Sequence, residues 1–239
     1  MSFLEKAGLH WSALYRHFLD LLFPPRCLGC RKPGAWLCQA CLEQVPRVNT
    51  SSCCYICGDR AGDDGLCSRC RTGPLRIERI RSVLYFEGVL REAIHRLKYR
   101  GCVALAEPLG SLMAAYLDEH PVPADVVVPV PLHITRLRER GYNQAALLAR
   151  EMTRGNGLVV NEHTLVRERA TAAQVTLSAE ERKLNVKDAF RCVDAGVVGR
   201  KVLLVDDVCT TGATLEACAL ALYEAGALSV QALTLARAR

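Results

Sequence analysis

The chain has 239 residues, half of them hydrophobic and 23% charged, so it can form one large globular domain plus a small one and is too apolar to stay disordered. Its formal net charge of +6 comes from 25 Arg and 6 Lys against 25 acidic residues; the planar guanidinium suits phosphate ligands, although a general bias toward Arg would leave the same mark. No run approaches the ~18 consecutive apolar residues of a membrane-spanning helix, which excludes a span of that kind.

Residues 1–23 carry Leu9, Trp11, Leu14, Phe18, Leu21 and Leu22, interrupted by His10, Arg16, His17 and Asp20. The pattern predicts an amphipathic helix rather than a signal peptide, and hence a cytoplasmic, reducing location. In such a compartment thirteen cysteines argue for metal before disulfides.

Residues 24–73 hold most of those cysteines. Cys27-x2-Cys30 and Cys38-x2-Cys41 form two close pairs, and Cys54-x2-Cys57 and Cys67-x2-Cys70 repeat the design. A CxxC turn brings two sulfurs to one ion while turn N–H groups point at them, and two turns complete a tetrahedral site. Four thiolates suit zinc or an iron–sulfur cluster, and zinc binding of about 10–16 kcal/mol would replace the core that so short a segment lacks. Consecutive closure of the two quartets is simpler than exchange of pairs. Cys53 is spare, because Cys54 keeps the two-residue spacing and Gly58 follows where a left-handed residue is often needed. A complete shell of thiolates leaves no open position, so the expected role is structural or in recognition.

Thr72-Gly73-Pro74 marks the boundary, and from Arg79 to the C-terminus apolar runs alternate with amphipathic stretches, the pattern of βα units around a mostly parallel sheet. Strands are predicted at Val83–Phe86, Val126–Val130, Val159–Val160 with Thr164–Val166, Val202–Val205 and Ser229–Leu235. Between the first two, Val89, Leu90, Ala93, Ile94 and Leu97 form one apolar helix face, with Arg91, His95, Arg96, Lys98 and Arg100 on solvated sides. The strand ending in Val128-Pro-Val-Pro131 runs into a basic stretch containing Arg136, Arg140 and the flexible Gly141, which reads as an anion site or as solvated surface. Ser178 and Glu181 form a capping-box signature for a short helix.

The strongest site signal is Val202-Leu-Leu-Val205-Asp206-Asp207-Val208-Cys209-Thr210-Thr211-Gly212-Ala213-Thr214. A buried strand leads into a loop from Asp206 and then a helix beginning near Ala213, and open α/β sheets bind ligands at the carboxyl ends of their strands. Gly212 and its small neighbours let backbone N–H groups approach an anion, the helix adds its positive end, and Thr210, Thr211 and Thr214 offer hydroxyls. The lysine of a nucleotide triphosphate loop is missing, so a phosphate monoester fits better. Adjacent carboxylates instead suit ribose hydroxyls or waters on a magnesium ion. The plainer alternative is a helix-capping turn.

A phosphate beside a vicinal diol is a ribose 5-phosphate, and this motif resembles that of type I phosphoribosyltransferases. Together with the paired cysteines, Leu97-Lys-Tyr-Arg-Gly101, Pro129-Val-Pro-Leu132 and Arg140-Gly-Tyr-Asn-Gln144, it makes nearly the full chain resemble the ComF family, which includes proteins similar to GntX. The resemblance implies a phosphoribosyltransferase-like fold after an N-terminal double zinc ribbon. It implies that Asp206 and Asp207 hold the 2′- and 3′-hydroxyls of phosphoribosyl pyrophosphate with Mg2+. Cys209, Thr210, Thr211, Gly212, Ala213 and Thr214 would surround the 5′-phosphate, and Arg136 and Arg140 would stabilise departing pyrophosphate. Residues 167–185 look like the family's mobile flap, with Gln174 and Arg182 reaching substrate on closure, or like an ordinary surface hairpin and helix.

Two functions follow: a magnesium-dependent transfer of a phosphoribosyl group to an unknown acceptor, or a DNA-uptake accessory of natural transformation that binds single-stranded DNA or partner proteins. Aromatic residues are only 6% of the chain, and Tyr85, Phe86, Tyr99 and Tyr142 form no obvious base-stacking platform.

Overall fold

The computed structural model describes residues 24–73, 75–169 and 189–239. The amphipathic helix expected over 1–23 and most of the flap, including Gln174, Ser178, Glu181 and Arg182, lie outside them. Among the described residues no helix is long and apolar enough to cross a membrane.

Two cysteine ribbons come first, with short helices α1 (Gln39–Leu42) and α2 (Ser68–Thr72). Strand β1 (Arg79–Tyr85) leads into helices α3 (Gly88–Tyr99) and α4 (Ala106–Glu119), then β2 (Val126–Pro129), α5 (Ile134–Arg140) and α6 (Gln144–Met152). A two-stranded antiparallel pair, β3 (Leu165–Arg167) with β4 (Phe190–Cys192), precedes β5 (Lys201–Cys209), α7 (Ala213–Glu224) and β6 (Ser229–Arg237).

The main sheet is parallel in the order β1-β6-β5-β2. Each central strand is apolar on both faces, as a sheet covered on both sides requires. One face carries Leu203, Val205, Leu233 and Leu235 against α3, α4 and α6 through Leu90, Ile94, Leu109, Met113 and Leu148. The other carries Val202, Leu204, Val230 and Ala232 against α7 and β3–β4, and its core runs on into all four cysteines of the second ribbon.

Three expectations need correction. Val159–Val160 is a single parallel bridge from Val160 to Val127, whereas Thr164–Val166 belongs to the separate β3–β4 pair rather than to the main sheet. Strand β5 does not stop at Val205: Asp206, Val208 and Cys209 stay in register with Thr234, Ala236 and Arg237 of β6, so only Thr210–Gly212 forms the loop. The polar face of α3 is also not wholly solvated, as the site shows.

Candidate functional site

The carboxyl ends of β5 and β2 and the N-terminus of α7 open into one cleft of ≈ 870 Å³. It brings together Asp206, Asp207, Thr210, Gly212, Ala213 and Thr214 from the acidic strand and loop with Arg136 and Arg140 from α5. Gly212 caps α7 at φ +79°, and a Cβ there would lie 3.0 Å from Ile80 Cδ1, so both conformation and space demand glycine. The first N–H groups of this twelve-residue helix then face the cleft end, where an anion is favoured. Thr211 is not part of the lining. Its carbonyl accepts from Arg69 of the second ribbon, and its hydroxyl accepts from the Ala213 N–H at 3.4 Å. Cys209 borders the cleft, but its buried thiol accepts from Arg237 at 3.3 Å and is pushed up to about 11 by burial, which makes it a poor ligand for substrate.

The two aspartates are neighbours in a strand, so their side chains leave on opposite faces. Asp207 is 2% exposed, and its Oδ1 receives Lys98 Nζ of α3 at 2.7 Å. Its Oδ2 is buried with no hydrogen-bond partner among the described residues. Asp206 lies on the α7 side, within electrostatic reach of Cys218 and Arg167, and its carboxyl is pushed up to about 7 by burial and then by the charge of Asp207. Burial works against the charge of Lys98, but Asp207 and Asp206 outweigh it and hold the ammonium above its ordinary range.

The basic wall depends on the Arg140–Gln144 segment. Gly141 ends α5 at φ +82°, and the Tyr142 hydroxyl donates to the carbonyl of Leu97 in α3. Asn143 caps α6 by accepting the Ala145 N–H at 3.0 Å, and its amide donates to Val130 O at 3.0 Å, which ties α6 to the end of β2. Arg140 is thereby aimed: it donates to Gln144 Oε1 and lies 5.4 Å from the centroid of the Tyr99 ring. Arg167 also enters the lining, stacked 5.3 Å from the Phe190 ring centroid; burial and then the charge of Arg136 push its guanidinium down.

Lys98, Arg167, Arg91 and His95 therefore line the cleft although the sequence assigns them no role in it, and Gln144 of the Arg140–Gln144 motif joins them. For Lys98 a signal existed. It continues the buried row Leu90–Ile94 at a spacing of four, so it shares their face rather than the solvated one.

Each predicted cysteine quartet is assembled by consecutive closure, with its sulfurs within 4.8 Å of one another. Sulfurs on a tetrahedral zinc lie about 3.8 Å apart, and Cys30–Cys38 at 3.6 Å and Cys57–Cys67 at 3.5 Å fit that edge. Burial raises the Cys27 thiol, but the backbone N–H groups of Cys38, Cys30 and Gly29 bring it down to about 6. Cys54 behaves alike, brought down to about 7 by Cys57, Cys67 and Ile56. Cys41 is pushed up to about 12 by its hydrogen bond to Cys38, and Cys57 and Cys70 are pushed up by burial, so it is the clustering of four sulfurs that suits a structural zinc ion. Cys53 joins neither quartet, and Gly58 has φ +72°.

Double zinc ribbon domains match residues 18–71, and phosphoribosyl transferase domains match residues 112–239. Similar curated proteins include the DNA utilization protein YhgH of Salmonella typhi, 38% identical over 91% of this chain and 99% of that one. The competence protein ComFC of Bacillus subtilis is 31% identical over 89% of this chain and 88% of its own length. Competence protein F of Haemophilus influenzae is 29% identical over 89% and 97%. Among solved structures, the B. subtilis glutamine phosphoribosylpyrophosphate amidotransferase complexed with ADP and GMP has a TM-score of 0.39 at 24% identity, covering 54% of this chain and 26% of that one. The chain belongs to the ComF family, in which a double zinc ribbon is joined to a phosphoribosyl transferase domain.

Proposed function

We propose that the cleft binds phosphoribosyl pyrophosphate with Mg2+ and transfers its phosphoribosyl group to a nitrogen acceptor. The observation that carries this reading is Asp207 Oδ2, a buried acceptor without a partner among the described residues, on a residue that lines the same cleft as the N-terminus of α7. A ribose hydroxyl or a magnesium-bound water would donate to it. The 5′-phosphate would rest on the first N–H groups of α7 with the hydroxyls of Thr210 and Thr214, and Asp206 would take the second ribose hydroxyl. Pyrophosphate would lie toward Arg136 and Arg140. As the anomeric carbon–oxygen bond breaks, its electron pair leaves on pyrophosphate, those guanidinium groups stabilise the growing charge, and the acceptor nitrogen forms the new bond and then releases its proton.

Calorimetric titration with magnesium phosphoribosyl pyrophosphate tests this. Saturable binding by the wild type and none by Asp206→Ala/Asp207→Ala is the expected result. A folded, zinc-loaded wild type that does not bind would sink the reading.

The names of the relatives, competence protein and DNA utilization protein, favour a second reading, in which this chain handles single-stranded DNA. The formal charge of +6 supports electrostatic contact with a nucleic-acid backbone. Binding to DNA that weakens steeply with salt and is untouched by Asp206→Ala/Asp207→Ala would place DNA on a separate surface, and loss of both together would put it in the cleft.

A further inference from the structure

Two arginines from opposite ends of the described chain join the second ribbon to the phosphate loop. Arg69, in α2 between the ribbon cysteines Cys67 and Cys70, sends Nη1 to the carbonyl of Thr211. Its Nη2 would lie 4.0 Å from a Cβ on Gly212, so the guanidinium sits directly behind the start of α7. Its Nε and Nη2 atoms are buried and donate to no described acceptor. Arg237, the last residue of β6, is 3% exposed. Its Nη1 donates to Cys57 O at 2.6 Å and to Cys209 Sγ at 3.3 Å, while Nη2 meets Asp59 at 3.2 Å. Cys57 and Cys209 are thus held by one side chain, and Ile80 closes the third side, donating its N–H to Ile56 O at 2.6 Å and packing under Gly212.

We propose that the second ribbon sets the conformation of the Thr210–Gly212 loop, with Arg69 and Arg237 as positioning residues for the phosphate end of the cleft. Neither residue lines the cleft. Arg69 instead fixes the Thr211 carbonyl away from the incoming anion, which leaves the neighbouring N–H groups turned toward it. Arg69 reaches the loop from within the second quartet and Arg237 is bonded to the carbonyl of Cys57, so closure of that quartet holds both in place. The effect on ligand rests on the sugar-phosphate reading of the cleft, whereas the effect on the loop does not.

The experiment uses the full-length, zinc-loaded chain with Arg69→Ala and Arg69→Lys, reading zinc content, hydrogen exchange at Thr210–Thr214 and calorimetric affinity for ribose 5-phosphate. Arg69→Ala is expected to keep two zinc ions per chain, to exchange the loop amides faster, and to bind about tenfold more weakly, the loss of one charge-assisted hydrogen bond. Arg69→Lys, which retains a charge and one donor, should recover most of the affinity, a rescue that mere loss of packing would not give. Unchanged loop exchange and unchanged affinity in Arg69→Ala would overturn the proposal. If the wild type bound no ribose 5-phosphate, the sugar-phosphate reading would fail, and loop exchange would still decide the role of Arg69. Should Arg69→Ala not fold, Arg69→Gln, too short to reach the Thr211 carbonyl, is decided by the same two measurements.

Discussion

The two ribbons share one design and differ in what they touch. In the first, Cys30 is exposed and Cys38 and Cys41 are half-buried, and the ribbon reaches the core through Leu28, Leu37 and Val45 beside α3. In the second, all four cysteines are buried and belong to the core beneath α7. Identical metal chemistry is peripheral in one case and part of the domain's interior in the other. Asp206 and Asp207 repeat the contrast on a smaller scale. Adjacent and chemically alike, they face opposite sides of the sheet, and among the described residues only Asp207 receives an ammonium group, from Lys98.

Removing one ligand from each ribbon should therefore give unequal results. Cys57→Ser opens a site whose metal contributes about 10–16 kcal/mol, more than the whole margin of many domains, and it exposes a hole in the main core. We expect no cooperatively folded protein. Cys41→Ser should leave a protein that melts cooperatively, carries one zinc and binds ribose 5-phosphate as the wild type does. Thermal melts with zinc content would decide, and equal damage from both substitutions would erase the distinction. The next effect in size lies at Lys98. Lys98→Met strands the buried Asp207 carboxylate and should cost about 3 kcal/mol in urea denaturation. Much of that should return in Lys98→Met/Asp207→Asn, because the penalty belongs to the unpaired charge rather than to the missing lysine.

What was legible in the sequence follows the range of the interactions. The two cysteine quartets, the Asp206–Thr214 run and the Arg140–Gln144 segment are short motifs whose spacing constrains their geometry, so the clustering of the cysteines and the meeting of the acidic and basic segments at one cleft are legible. The cleft's other contributors arrive from distant elements: Lys98 from α3 and Arg167 from β3, each an ordinary basic residue until the sheet order brings it to the end of β5. Strand β4 is only Phe190–Cys192, too short for alternation to show. The roles of Arg69 and Arg237 depend on the docking of the second ribbon against β1 and β6, which no local pattern encodes. Two adjacent aspartates look like a turn in sequence, whereas pairing with β6 carries β5 on to Cys209.

The smallest expected effect separates the two aspartates by pH. Burial raises the Asp206 carboxyl to about 7 from an ordinary 3.8. Between those values the folded chain holds a proton that the unfolded chain has released, so this group's contribution to stability declines as pH rises from about 4 toward 7. Above 7 the folded state keeps a poorly solvated carboxylate. Asp206→Asn removes the titration, and its melting temperature should match the wild type near pH 4 and exceed it by a few degrees at pH 8. Asp207→Asn should instead lower the melting temperature at pH 8, since it leaves the Lys98 ammonium without its partner. An Asp206→Asn difference that is the same at pH 4 and pH 8 would show that Asp206 is not held protonated by the fold. If the difference grows as expected, and magnesium with ribose 5-phosphate stabilises the wild type but not the variant, then the site keeps an ionised carboxylate at a cost to the free protein that the ligand offsets.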